Sequence, residues 1–380
     1  MSSFTTSPNG VRLRPAEAVA AGHPDKIADA IADAFVDLAI AREPRALVGV
    51  EVAVHRGSVF VTGRAAGARL TQGDICRLVR ERYAVLGHGG DWPPDPDALR
   101  IVCDLDLGPL VPGEADFREV SDDQSICTGY AVDSPATGWL PPEHWLAHRI
   151  VRGLEALRRD APELRLGPDA KAAVLGAEVA GRSMGLETAT VSLQQAVGGD
   201  EIATRRRVVE VVRAALVSAP HAFEVPFDLA SRILVNGAGN FECGGPNGDN
   251  GLSGKKLVAD AYGPRVPIGG GALSGKDFFK VDRAGAIAAR RLALAIVRGG
   301  GAPEATVELL WRPGDREARV VAVTGAGGEA IDPGPWLPAV DLSLRGSGNR
   351  WPSLVRGQLP RLAVEGHFGG DQPWEAPSAA

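Results

Sequence analysis

A pair of β-rich runs followed by a helical run recurs about three times along this chain. That order restricts the fold to α+β units in which helices cover sheets, with the units related as pseudo-repeats. The first set is the clearest. Residues 47–54 and 58–62 alternate in the manner of strands, and His55-Arg56-Gly57 between them predicts a hairpin. Residues 72–86 then read as helix. Residues 99–107, 172–180, 188–193, 304–310 and 319–323 read as further strands. Residues 144–159, 202–218 and 282–298 read as further helices. Residues 87–96 read as a loop, 236–275 as a Gly-rich region with short strands, and 108–118 as a mobile Pro/Gly-rich run. The end after Trp374 is expected to fray.

The helix expected at 25–42 carries Ile27, Ile31, Phe35 and Leu38 on one face. Asp25 is placed to cap it. Asp25, Asp29, Asp33 and Asp37 repeat every four residues, a spacing at which like charges repel mildly. Asp33 and Asp37 are read as a solvated face, while Asp25 and Asp29 lie near enough to the helix start to touch a metal.

Lysine is scarce. Lys and Arg together number 41, of which only Lys26, Lys171, Lys255, Lys256, Lys276 and Lys280 are lysine. All but Lys171 stand in or beside Gly-rich runs: Gly22-His23-Pro24-Asp25-Lys26, Gly254-Lys255-Lys256 and Gly275-Lys276-Asp277. A chain that uses Arg as its general cation keeps Lys where a compact point charge is required. Glycine lets backbone approach a ligand closely, and Lys beside Gly with Asp nearby is the chemistry of a polyphosphate–metal site. Residues 270–276 match the spacing G-x-x-x-x-G-K. Asp277 replaces the Ser or Thr that should follow, and no clean strand precedes, so phosphate binding is expected without the phosphate-loop fold. His23, next to a helix start and two charges, suits a proton donor or phosphate contact.

Net charge is −6, which argues against a nucleic-acid partner. Cys76, Cys103, Cys127 and Cys243 lack paired spacing, as expected of reduced thiols in a cytoplasmic protein. No apolar run is long enough to span a membrane. The polar run 1–9 lacks a signal-peptide core.

Taken together, residues 22–29, Asp169-Ala170-Lys171, 244–256, 269–277, Lys280-Val281-Asp282-Arg283 and 366–369 resemble the S-adenosylmethionine synthetase family, in its order and over nearly the whole chain. Ala147-His148-Arg149 and Asp123-Gln124 fit as well. The resemblance implies three similar sheet-plus-helix domains around a pseudo-threefold axis, assigned to 10–108, 119–234 and 235–376. It implies a homodimer with active sites between subunits, or a tetramer built from it, and use of ATP, two Mg²⁺ per site and K⁺. A sulfur nucleophile attacks C5′ of ATP, and the departing triphosphate is cut to pyrophosphate and phosphate. By matched motif, His23 donates near the leaving oxygen, and Lys171, Lys255, Lys256 and Lys276 bind triphosphate, with Lys280 near it or the amino acid. Asp25 and Asp282 hold Mg²⁺ and Glu51 the K⁺. Phe241 and Asp123 hold adenosine, and Asp169, Asp249 and Ala272 line the same site.

The departures cluster in the amino-acid half. Arg64 stands where the family has the Glu that takes the methionine ammonium, and Pro109 or Leu110 where its mobile loop has Gln. Ala20, Ala21 and Asn240 replace polar or charged residues, and Lys255 replaces an Arg. Arg64 would repel an ammonium and suit an anionic group. This opens alternatives: adenosyl transfer to an anionic nucleophile, or a triphosphate-hydrolysing or non-catalytic relative.

Overall fold

A computed structural model describes residues 11–179 and 183–377. The polar run 1–9, the expected strand end at 180 and the last three residues lie outside them. Three sheets form, each with helices on one face. The first joins β2 (Leu47–His55), β3 (Ser58–Ala66), β4 (Arg100–Gly108) and the short β10 (Gly251–Leu252), in the order β10-β2-β3-β4. Helices α1 (Pro24–Arg42) and α2 (Gln72–Val85) pack on it. The second runs β1 (Val11–Val19), β6 (Leu166–Val179), β7 (Met184–Gln195), β8 (Phe223–Glu224), with β9 (Ile233–Val235) also on β7. Helices α3 (Pro142–Asp160) and α4 (Glu201–Val217) cover it. The third is β12 (Arg319–Thr324), β11 (Glu304–Trp311), β5 (Ser125–Val132), under α6 (Val281–Arg298). The smaller helices are α5 (Leu257–Asp260), α7 (Leu344–Leu354) and α8 (Leu359–Glu365).

The sheets exchange strands in a cycle. β1 leaves the N-terminal segment to pair with β6, β5 leaves the central segment to pair with β11, and β10 leaves the C-terminal segment to pair with β2. Each sheet is therefore completed by a strand from another stretch of chain.

Two of the exchanged strands escape sequence reading for identifiable reasons. β1 contains Pro15, opposite Leu175; it is an edge strand, where proline's missing N–H is tolerated. β5 contains Gly129, whose added Cβ would fall 2.0 Å from the Ala289 carbonyl carbon of α6. That glycine weakens the strand pattern and is required by the approach of helix to sheet. Gly129→Ala should lower stability by about 1–3 kcal/mol, read as a drop in the urea midpoint with little change elsewhere. In α7, Gly346, Gly348 and Pro352 oppose helix formation, but buried Leu344 and Trp351 hold it against the core.

Three further expectations are corrected. Run 108–118 is not left loose: 114–118 forms a 3₁₀ turn, and Arg118, 1% exposed, is held by Asp277 at 3.0 Å and by the Ala46 carbonyl at 2.9 Å. The described residues just past Trp374 are not loose, since Glu375 is buried against Arg290. The α1 cap is His23, not Asp25: His23 Nδ1 accepts from Asp25 N at 3.2 Å, with Pro24 in the first turn where its missing N–H costs nothing.

Candidate active site

β2 is the spine of the site. One edge pairs with β3; along the other lie both Gly-Lys loops. Residues 251–252 pair with Ala53 and Val54. Ser253 N donates to Val52 O at 2.9 Å, Val50 N to Gly275 O at 2.9 Å, and Asp277 N to Val48 O at 3.1 Å. Gly275 has φ +84°, and a Cβ there would meet Val50 O at 2.2 Å. This position demands glycine.

The N-terminus of α1 enters beside the first loop. His23 is 1% exposed, and its Nε2 has no hydrogen-bond partner among the described residues. Because Nδ1 is committed as acceptor from Asp25 N, the neutral ring carries its proton on Nε2. Burial, then the positive charge of Lys171, lowers the His23 pKa to about 3, against the opposing effect of Asp25. The ring is thus a buried neutral donor set among the charges of Lys171, Asp25 and Lys256. Burial alone would raise the pKa of Asp25, but the Leu252 N–H and Lys256 outweigh it and hold the carboxyl below its ordinary value. Lys256 Nζ lies 3.1 Å and Lys255 Nζ 3.5 Å from that carboxylate. The Lys256 contact is to Asp25 Oδ2, which accepts no other hydrogen bond among the described residues.

β6 supplies Asp169 and the exposed Lys171. Asp169 Oδ2 accepts from Gly245 N at 2.8 Å, clamping the start of the 244–256 loop, and burial raises its pKa to about 6. Asp249 is exposed on that loop, within electrostatic reach of His23 and Asp169. The half-buried Phe241 follows β9, its carbonyl accepting from Gln195 N at 2.9 Å. Glu51, exposed on β2, accepts from Ser253 Oγ at 2.7 Å.

The second loop leads into α6. Lys276 pairs with Asp282, which also accepts from Ser125 Oγ at 2.5 Å. Gly271 crosses Asp282 so closely that a Cβ would fall 2.0 Å from Oδ1. Ala272 lies against Gly254, linking the loops. Lys280, at the N-cap of α6, pairs with Asp122, its stem 3.7 Å from where a Cβ on Gly49 would stand. Asp123 is exposed beside it and accepts from Gln124 N at 2.8 Å.

Sequence reasoning left several partners unseen. Asp122 and Ser125 hold Lys280 and Asp282; only their adjacency to Asp123 and Cys127 could have signalled them. Lys26, grouped with the other lysines, is instead internal: 2% exposed, it ties Asp29 at 3.2 Å, Asp260 and the Ala363 carbonyl at 2.9 Å. Asp33 is not solvated but 0% exposed, and Asp37 is half-buried, accepting from Gly357 N at 2.8 Å.

Arg64 is also corrected. Its guanidinium grips Glu114 with two bonds, at 3.0 and 2.8 Å, and reaches Asp106 at 3.1 Å and Pro109 O at 2.8 Å. Its charge is matched, so it offers no free cation to an anionic substrate. Its work is to hold run 109–114 against β3. Glu114→Ala should change stability by less than about 1 kcal/mol, while limited proteolysis within 109–114 accelerates; an unchanged cleavage rate would sink this assignment.

A neutral donor at the start of α1, lysines on β6, on the two Gly-rich loops and at the start of α6, and carboxylates in α1 and α6, carried by three strand-exchanged α+β units, are the chemistry of a protein that handles a polyphosphate ligand. Models of the S-adenosylmethionine synthetase N-terminal, central and C-terminal domains match residues 12–91, 118–241 and 243–376. The chain is 34% identical over 370 residues to S-adenosylmethionine synthase of Rhodospirillum centenum, covering 93% of this chain and 91% of that protein. It is 35% identical over 394 residues to the enzyme of that name from Mycobacterium marinum, covering 96% of each. The chain belongs to the S-adenosylmethionine synthetase family.

Proposed function

We propose that this protein transfers the adenosyl group of ATP to the sulfur of L-methionine, forming S-adenosylmethionine with release of phosphate and pyrophosphate. The observation that carries the reading is His23: a buried neutral imidazole whose Nε2 has no hydrogen-bond partner among the described residues, within electrostatic reach of Lys171 and Lys256. In-line attack at C5′ expels a polyanion, so catalysis rests on holding that charge and on aligning the sulfur. His23 Nε2–H donates to the oxygen that departs. Lys171, Lys255, Lys256 and Lys276 bind the triphosphate oxygens, and Lys280 stands beside them. Phe241 and Asp123 hold the adenosine, and Asp169, Asp249 and Ala272 shape the loops around it. Arg64 acts through the loop it holds. Its matched charge removes the motive for an anionic nucleophile.

Two Mg²⁺ ions per site fit the donors present. No cluster of three or more candidate ligand side chains occurs among the described residues, and Mg²⁺ on a nucleotide needs just one or two carboxylates beside phosphate oxygens and water. Asp25, whose Oδ2 is held by the ion pair with Lys256 and takes no other hydrogen bond among the described residues, and Asp282 are those carboxylates. When bound, Mg²⁺ neutralises the departing triphosphate. Glu51 with Ser253 Oγ offers oxygens for K⁺.

The working unit we propose is a homodimer with active sites between subunits, whether or not dimers pair further. Its support is the helix-free sheet faces, where Phe60, Val102 and Ile126 are 41%, 36% and 60% exposed. No helix among the described residues is long and apolar enough to cross a membrane. The segments 10–108, 119–234 and 235–376 remain the proposed domain units, each completed by an exchanged strand.

The deciding experiment is mass spectrometry of ATP, Mg²⁺, K⁺ and methionine with the purified protein. S-adenosylmethionine with equal phosphate and pyrophosphate is expected. Phosphate release without that product overturns the reading.

A further inference from the structure

The two lysine-bearing loops are held on both sides. β2 grips them from one side, as above. From the other side the carboxylates of α1 take their amides: Asp25 Oδ1 accepts from Leu252 N at 3.0 Å, Asp29 Oδ1 from Gly254 N at 2.8 Å, and Asp33 Oδ1 from Gly275 N at 2.9 Å. Four residues of helix advance about 6 Å, and two of strand about 7 Å. The step from Asp29 to Asp33 is thus close in length to the step between successive loop contacts on β2. Two rigid elements, rather than the loops themselves, set how far Lys255 and Lys256 stand from Lys276.

Asp33 is the centre of this arrangement. It is 0% exposed and cannot touch a substrate. It takes the N–H of the residue before Lys276 and pairs with Arg283, the residue after Asp282. Arg283 in turn donates to Leu273 O at 3.0 and 2.6 Å, and stacks 5.2 Å from the Phe278 ring. The ion pair between Lys276 and Asp282 is therefore braced from behind by the ion pair between Asp33 and Arg283. Resting on the reading that these lysines bind triphosphate, we infer that Asp33 and Arg283 are positioning residues for Lys276, setting its distance from Lys255 and Lys256 and so the fit to a triphosphate.

The test is Asp33→Asn, which keeps an acceptor for Gly275 N–H and drops the charge facing Arg283. Steady-state kinetics and titration calorimetry with inorganic tripolyphosphate are measured for the full-length wild type, Asp33→Asn, Lys276→Ala and the double variant. Expected are a loss on the order of tenfold to a hundredfold in kcat/KM for ATP, a parallel loss in tripolyphosphate affinity, and a KM for methionine within about twofold of wild type. In the Lys276→Ala background the Asp33→Asn effect should nearly vanish, because residues acting through one group are not additive. A full, additive loss in the double variant means a general structural role and overturns the inference. Asp37→Asn is the control: it removes the next carboxylate of the same helix face, whose amide partner Gly357 lies in no lysine loop, and should leave both readouts unchanged. If Asp33→Asn does not fold, Arg283→Lys keeps the charge, loses the fork and supports the same cycle. Tripolyphosphate binding without S-adenosylmethionine formation would overturn the proposed reaction alone, with the cycle still readable from calorimetry. A wild type that binds no tripolyphosphate overturns the positioning role as well.

Discussion

Replacing His23 with alanine will lower the rate of S-adenosylmethionine formation by about 10²- to 10⁴-fold, the usual worth of a positioned proton donor. Two effects are mixed in that variant. Nδ1 caps α1, and losing a cap costs about 1 kcal/mol. Nε2 is buried with no hydrogen-bond partner among the described residues. His23→Asn separates them, since Asn is among the best N-cap residues yet cannot extend a donor to where Nε2 stands. The asparagine variant should therefore retain wild-type stability and ATP affinity while losing nearly as much kcat as the alanine variant. Single-turnover kinetics with ATP binding measured separately decides the matter. If His23→Asn turns over at more than about a tenth of the wild-type rate, His23 caps the helix and does not donate.

The largest effect on stability is expected far from the site. Arg290 is 0% exposed on α6, and all five of its N–H groups are used. Nε and Nη2 grip Glu375 at 2.9 and 2.7 Å; Nη1 serves Trp139 O at 3.1 Å and Tyr130 O; Nη2 also serves Gly138 O at 2.8 Å. Glu375→Ala strands a buried guanidinium and should cost about 3–5 kcal/mol. Arg290→Met should cost a comparable amount, because the buried Glu375 carboxylate then loses its partner and the Tyr130 and Gly138 carbonyls lose a donor. Chemical denaturation followed by tryptophan fluorescence reads this well, since Trp374 adjoins the pair in sequence and Trp139 receives one of its bonds. A shift in the first transition worth less than about 1 kcal/mol would show that the chain end is not a structural anchor. Both variants should retain wild-type KM for ATP in the fraction that folds.

The carboxylate stripe of α1 was visible in sequence, but its burial was not. Its four-residue period was plain, and so was the lysine scarcity that marked the loops. What misled was the reading of Asp33 and Asp37 as a solvated face and of Asp29 as free to touch a metal. Asp29 and Asp33 are buried because the Gly-rich loops present unpaired backbone N–H groups that require acceptors, and the resulting bonds span some 225 and 242 residues of chain. Arg64 misled in the opposite sense. As a lone symbol it implied a cation facing the substrate, and Glu114, fifty residues on, neutralises it.

Local signals therefore sufficed for some features and not for others. The helices at 24–42, 72–85 and 142–160, the Arg56-Gly57 hairpin and the placement of Lys beside Gly follow from periodicity, β-branching and the special freedom of glycine. Those are properties of neighbouring residues and are legible in order along the chain. The cyclic exchange of β1, β5 and β10, the burial of Lys26 and Asp33, and the matching of Arg64 and Arg290 were decided only by folding. Each depends on which distant group arrives to satisfy a hydrogen bond or a buried charge, and that choice is made by the packed whole.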